Sequence, residues 1–148
     1  MSTRSYIVIE RKKEDGTKWY EGIYCHSDGY PSYNGQILYN YYSKREDVEK
    51  LISLGDLSVL DKRIEPTEGS GHCWDYDKRE KGVCVFYGRD RGEDGVEPKE
   101  VDLDNMSHDF WIEFVYIYTL DGKWMCSANN PSKTCDLEAV LKDENILY

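Results

Sequence analysis

The run Trp111 to Leu120 (WIEFVYIYTL) constrains the fold most. It is rich in β-branched and aromatic residues, so it is predicted as a strand. Side chains alternate between the two faces of a strand. The large apolar residues Trp111, Phe114, Tyr116 and Tyr118 do not all share one face. Such a strand needs protein on both sides, which places it inside a covered sheet. Asp121-Gly122 then turns the chain back into Lys123 to Ser127 (KWMCS), the pattern of a tight hairpin.

A second hairpin is written near the start. Ser5 to Arg11 (SYIVIER) and Lys18 to Cys25 (KWYEGIYC) read as strands around the turn Glu14-Asp15-Gly16-Thr17. His26 to Gly35 (HSDGYPSYNG) is predicted as a stiff loop, because Pro31 fixes its own φ and keeps Tyr30 extended. Ile37, Leu38, Tyr41 and Tyr42 then form an amphipathic stripe. Ser43-Lys44-Arg45-Glu46 has the spacing of a capping box for a helix carrying Val48, Leu51, Ile52 and Leu54, with Gly55 as its stop. Residues 61–81 read as a polar connection, mobile or wrapped over the surface. Gly82 to Tyr87 reads as a strand, Arg89 to Glu97 as a charged loop and Leu137 to Leu141 as a short helix. The expected whole is one α+β domain over residues 1–148. Its mostly antiparallel twisted sheet has about five to six strands, and two short adjacent helices are inserted after the second strand.

Charge narrows the function classes. The 148 residues carry a net charge of −10. Residues 1–60 hold 9 acids and 8 bases, whereas residues 61–148 hold 20 acids and 11 bases. A field of that sign repels phosphate backbones, so direct nucleic-acid binding is disfavoured. No apolar run reaches the length of a membrane span. The five cysteines are odd in number and widely spaced, which fits free thiols in a reducing cytoplasm.

No catalytic motif stands out, and no cofactor is expected. Serine-hydrolase elbows, phosphate loops and dinucleotide glycine patterns are missing. Cys25-His26 and His72-Cys73 are the only paired metal-type residues, and adjacent positions in a strand point to opposite faces, which suits neither zinc nor a Cys–His nucleophile. Two contact surfaces suggest themselves instead. The carboxylates Glu93, Asp94, Glu97, Glu100, Asp102 and Asp104 could meet a basic partner, with Tyr30 and Tyr33 as aromatic anchors on the stiff loop. Alternatively, Arg89 and Arg91 could hold the phosphates of a small nucleotide ligand whose base stacks on Tyr30 or Trp74.

Ile23 to Gly35, followed by Tyr42, Val48, Leu51-Ile52 and Leu54 to Ser58, resembles a family of small phage and prophage proteins sharing a YCHxDGYPSYNG-type core. The likeness covers roughly the first 60 residues and, more loosely, Val83 to Tyr87. It implies a phage accessory protein acting in the host cytoplasm. Such products are often inhibitors of host defence, of anti-CRISPR or anti-restriction type. The expectation is an acidic interaction protein, not an enzyme, that binds a nucleic-acid-binding defence protein by mimicking nucleic acid. A binder that sequesters a nucleotide signal is the alternative, and a Cys/His-dependent enzyme or zinc protein is the third reading.

Overall fold

The computed structural model describes residues 3–75, 77–103, 112–128 and 134–143. Strands β1 (Ser5–Lys12) and β2 (Lys18–Cys25) form the expected hairpin, in register from Ser5 opposite Cys25 to Lys12 opposite Lys18. Its turn is held by Asp15 Oδ1, which accepts from Thr17 N–H at 2.9 Å. A π-type turn (Pro31–Gly35) and helices α1 (Gln36–Tyr41) and α2 (Arg45–Ser53) follow. Next come β3 (Leu57–Val59), β4 (Val85–Phe86), α3 (Tyr87–Arg91) and β5 (Lys99–Glu100). The described chain closes with β6 (Phe114–Tyr118), β7 (Trp124–Ala128), β8 (Cys135–Asp136) and α4 (Leu137–Asp143).

The α+β class holds, but the sheet is larger than five or six strands and is mixed. Eight strands join in the order β4-β3-β2-β1-β6-β7-β8, with β5 paired to β2 beside β3. β1 runs parallel to β6 and β2 parallel to β3; the other pairs are antiparallel. The β2–β3 arrangement has a local cause. The connection carries two helices, and a helical crossover returns the chain to the sheet in the same direction. Gly55 ends this crossover at φ +84, as its place after Leu54 predicts.

Both faces of the sheet are covered. On one, Ile7, Ile9, Ile23 and Tyr116 pack under α1, α2 and α4, which contribute Leu38, Leu51 and Leu141. On the other, Val8, Val115 and Ile117 form a smaller cluster with Ile112, edged by Tyr6, Tyr20 and Tyr24. Tyr116 ties the first layer to the loop after β2, since its hydroxyl donates to Gly29 O at 2.5 Å inside the core. Tyr116→Phe leaves that buried carbonyl without its donor and is expected to cost about 1–3 kcal/mol, measured as a lower denaturation midpoint with an unchanged slope.

Several local expectations need correction. The Ser43–Glu46 capping box does not form: α2 starts after Lys44 with no side-chain cap, and Ser43 O accepts from the Tyr118 hydroxyl at 2.8 Å. The strand predicted over Gly82 to Tyr87 is only two residues long, and the start of the charged loop is helix α3. Asp90 causes this, because its Oδ2 reaches back to accept from Phe86 N–H at 2.7 Å and secures the first turn. Gly92 closes it in the left-handed conformation, φ +72. The loop His26 to Gly35 is partly helical, since the π-type turn runs directly into α1. The strand predicted to begin at Trp111 is described from Phe114, and Trp111 lies outside the described residues.

The connection over residues 61–81 wraps the surface on two anchors. Glu80 accepts from Arg63 Nη2 at 2.5 Å and from Thr67 N–H and Oγ1–H at 3.0 Å each. His72, whose side chain is 1% exposed, accepts from Glu80 N–H through Nδ1 at 2.8 Å and contacts Cys84 O through Nε2 at 3.1 Å.

Candidate functional site

Cys25, Cys84 and His72 are built into the interior. Cys25 is fully buried, and burial pushes its thiol up to about 12 against the Nδ2–H of Asn34 at 3.3 Å. Burial also raises Cys84 to about 11. A thiol held protonated is neither nucleophile nor metal ligand. His72 has both ring nitrogens engaged, as above, and the His26 ring faces Tyr24. Among the described residues, no three His, Cys, Asp or Glu side chains gather to hold a metal ion. A thiol reagent on the native protein is expected to modify the exposed Cys135 and the partly exposed Cys73, while Cys25 and Cys84 react only after unfolding. Mass mapping of the labelled peptides checks this.

The two expected contact surfaces meet different fates. Arg89 turns inward: Nη1 donates to Ile64 O at 2.5 Å, Nη2 to Cys84 O at 3.0 Å, and Nε to Asp90 Oδ1 at 3.0 Å. Its guanidinium also lies 4.9 Å from the Phe86 ring centre. Arg91 does meet Trp74, at 5.5 Å from its ring centre, but it also covers Tyr87 at 5.1 Å and pairs with Glu93 at 2.8 Å. The two arginines therefore do not open as one phosphate clamp. Tyr30 is exposed and packs edge-on against Tyr33, whose ring docks on the core. Of the carboxylates, Glu93 is neutralised by Arg91, whereas Asp94, Glu97 and Glu100 are exposed with no ion-pair partner among the described residues. Asp102 is exposed, and Asp104 lies outside the described residues.

A cavity of about 320 Å³ opens on the second face of the sheet, lined by Arg4, Tyr6, Tyr24, Asp56 and Lys99. The strand register assembles it. Tyr6 and Tyr24 are cross-strand partners on β1 and β2, their rings edge-on at 6.1 Å. Two residues before Tyr24 on the same face is Gly22, and opposite Gly22 stands Lys99 of β5. Gly22 brings no side chain, and a Cβ there would meet Val8 Cγ2 at 3.0 Å.

Asp56 enters from the α2–β3 junction. Its backbone is held on both sides, with N–H donating to Val96 O at 2.8 Å and its carbonyl accepting from Tyr87 N–H at 3.1 Å. Its Oδ1 accepts from Tyr24 N–H at 2.8 Å. Burial raises its pKa, with the Tyr24 hydrogen bond and the charge of Lys99 working against that rise and Glu97 adding to it. At the other end, Tyr24 Oη and His26 Nδ1 share a hydrogen bond of 2.8 Å. Burial first, and the Arg4 charge second, lower the His26 pKa and keep the ring neutral at pH 7. Burial raises Tyr24 while Arg4 opposes it. Along Tyr24, Asp56 therefore sits at the backbone end and His26 at the hydroxyl, and Arg4 and Lys99 complete the lining.

Sequence reasoning missed this grouping. Its members are spread from residue 4 to residue 99, and no local spacing marks them. Comparison with protein-family models, curated proteins and solved structures finds no match for the chain. Among the described residues, no helix is long and apolar enough to cross a membrane.

Proposed function

We propose that the chain is a binding protein that captures a small anionic ligand carrying a planar ring, of the nucleotide class, in the cavity between Arg4 and Lys99. The observation that carries this reading is the pairing of two cations with two tyrosine rings around one concavity, in a chain of net charge −10. Arg and Lys supply charge-assisted bonds to phosphate, and tyrosine rings give a base apolar area at small entropic cost. The volume falls within the range of small-molecule sites. The proposed role is capture and sequestration of that ligand.

A thermal-shift panel of nucleoside monophosphates tests it. A ligand that binds only the folded state, present at a hundred times its Kd, should raise Tm by about 5–10 °C for a domain of this size. Arg4→Ala and Lys99→Ala should each weaken binding roughly tenfold or more. No shift across the panel removes the reading.

A second reading rests on Asp94, Glu97 and Glu100, exposed and without ion-pair partners among the described residues. Such a strip could dock on the basic groove of a nucleic-acid-binding host defence protein and inhibit it. Binding would then weaken steeply between low and physiological salt. The engagement of Glu93 by Arg91 and of Asp90 by Arg89 reduces the charge available for this role, so it stands second.

A further inference from the structure

The cavity lining holds both a cation, Lys99, and a carboxylate, Asp56, and the two have a directional chemistry. The Lys99 ammonium only donates, and the Asp56 carboxylate only accepts. The carboxylate is fixed: Tyr24 N–H holds Oδ1, and the backbone of Asp56 is bonded to Val96 on one side and Tyr87 on the other. Oδ2 and the second lone pair of Oδ1 remain to accept donors from a ligand. The ligand edge that fits is therefore one acceptor next to two donors.

Resting on the nucleotide reading above, the geometry points to a guanine nucleotide as the ligand of this cavity. Guanine N1–H and N2–H donate to Asp56, O6 accepts from Lys99, the base lies along Tyr6 and Tyr24, and the phosphate meets Arg4. The place of Asp56 supports this direction, because its carboxylate is held at the backbone end of Tyr24 and the tyrosine ring extends from there along the cavity. Adenine brings one donor and an unprotonated ring nitrogen to the same place. That nitrogen would face the carboxylate with two lone pairs opposed, and a site built for donors rejects a ligand that lacks them.

Isothermal titration with GMP, IMP, AMP and inorganic phosphate tests the assignment on the full chain. GMP should bind tightest. IMP lacks the 2-amino donor and should bind about tenfold weaker, the effect of one hydrogen bond to a charged acceptor. AMP and inorganic phosphate should bind more weakly still. Asp56→Asn keeps an acceptor for Tyr24 N–H and therefore spares the fold, yet it should remove most of the preference for GMP over AMP. If GMP and AMP bind equally and Asp56→Asn changes neither, the guanine assignment fails while nucleotide capture stands. If none of the four binds, both fall.

Discussion

Replacing Gly55 by alanine is expected to destabilise the fold by about 3–4 kcal/mol, from left-handed backbone strain and a displaced backbone contact together. Gly55 has φ +84, and a Cβ added to it would lie 2.2 Å from Val96 O. That neighbour is main chain and cannot swing aside like the end of a flexible side chain. It is also the acceptor for Asp56 N–H at 2.8 Å. Relieving the clash therefore moves the segment before β5 away from β3 and loosens Asp56. The loss should appear in chemical denaturation. Ligand affinity should fall as well, although residue 55 does not line the cavity. A Gly55→Ala protein as stable as the parent would show that this junction is not packed as described.

Arg89→Met should cost about 3–5 kcal/mol, the usual price of stranding one member of a buried ion pair. The side chains of Arg89 and Asp90 are only 22% and 5% exposed. With Arg89 gone, Asp90 keeps its bond from Phe86 N–H but loses its counter-ion, Ile64 O loses its donor, and Cys84 O keeps only the one from His72 Nε2. Methionine fills the volume, so the loss reports charge and hydrogen bonding rather than a cavity. The double variant Arg89→Met, Asp90→Asn should be less destabilised than the two single changes combined, because no unpaired charge is then left inside. Nucleotide affinity per folded molecule should be unchanged. A large loss of affinity with stability intact would instead return Arg89 to a ligand-binding role.

These two residues also show what the sequence could and could not disclose. Gly55 was legible because a glycine after an amphipathic run is a local signal with a single steric cause. The two Asp-Gly hairpins were legible for the same reason, whereas in the Trp111–Leu120 run Phe114, Tyr116 and Tyr118 share one face and it is Val115 and Ile117 that fill the other. Arg89 was not legible. In sequence it stands among exposed acids, and only the return of Ile64 and Cys84 from elsewhere in the chain makes it an internal residue. The parallel contact of β1 with β6 was hidden likewise, since it joins Ser5 to Phe114 across more than a hundred residues. The candidate site suffered most. Neither Tyr24 nor Asp56 pointed in sequence to Arg4, Tyr6 or Lys99, which the folded sheet brings to the same cavity.

The concavity over Tyr24 is where the molecule is expected to meet its ligand. Titrating the isotope-labelled protein with GMP and following the backbone amide resonances addresses this directly. The expected result is saturable shifts centred on Tyr6, Tyr24, Asp56 and Lys99, with Asp94 and the Tyr30–Tyr33 loop little affected. Shifts concentrated on the acidic strip, or none at millimolar GMP, would contradict it.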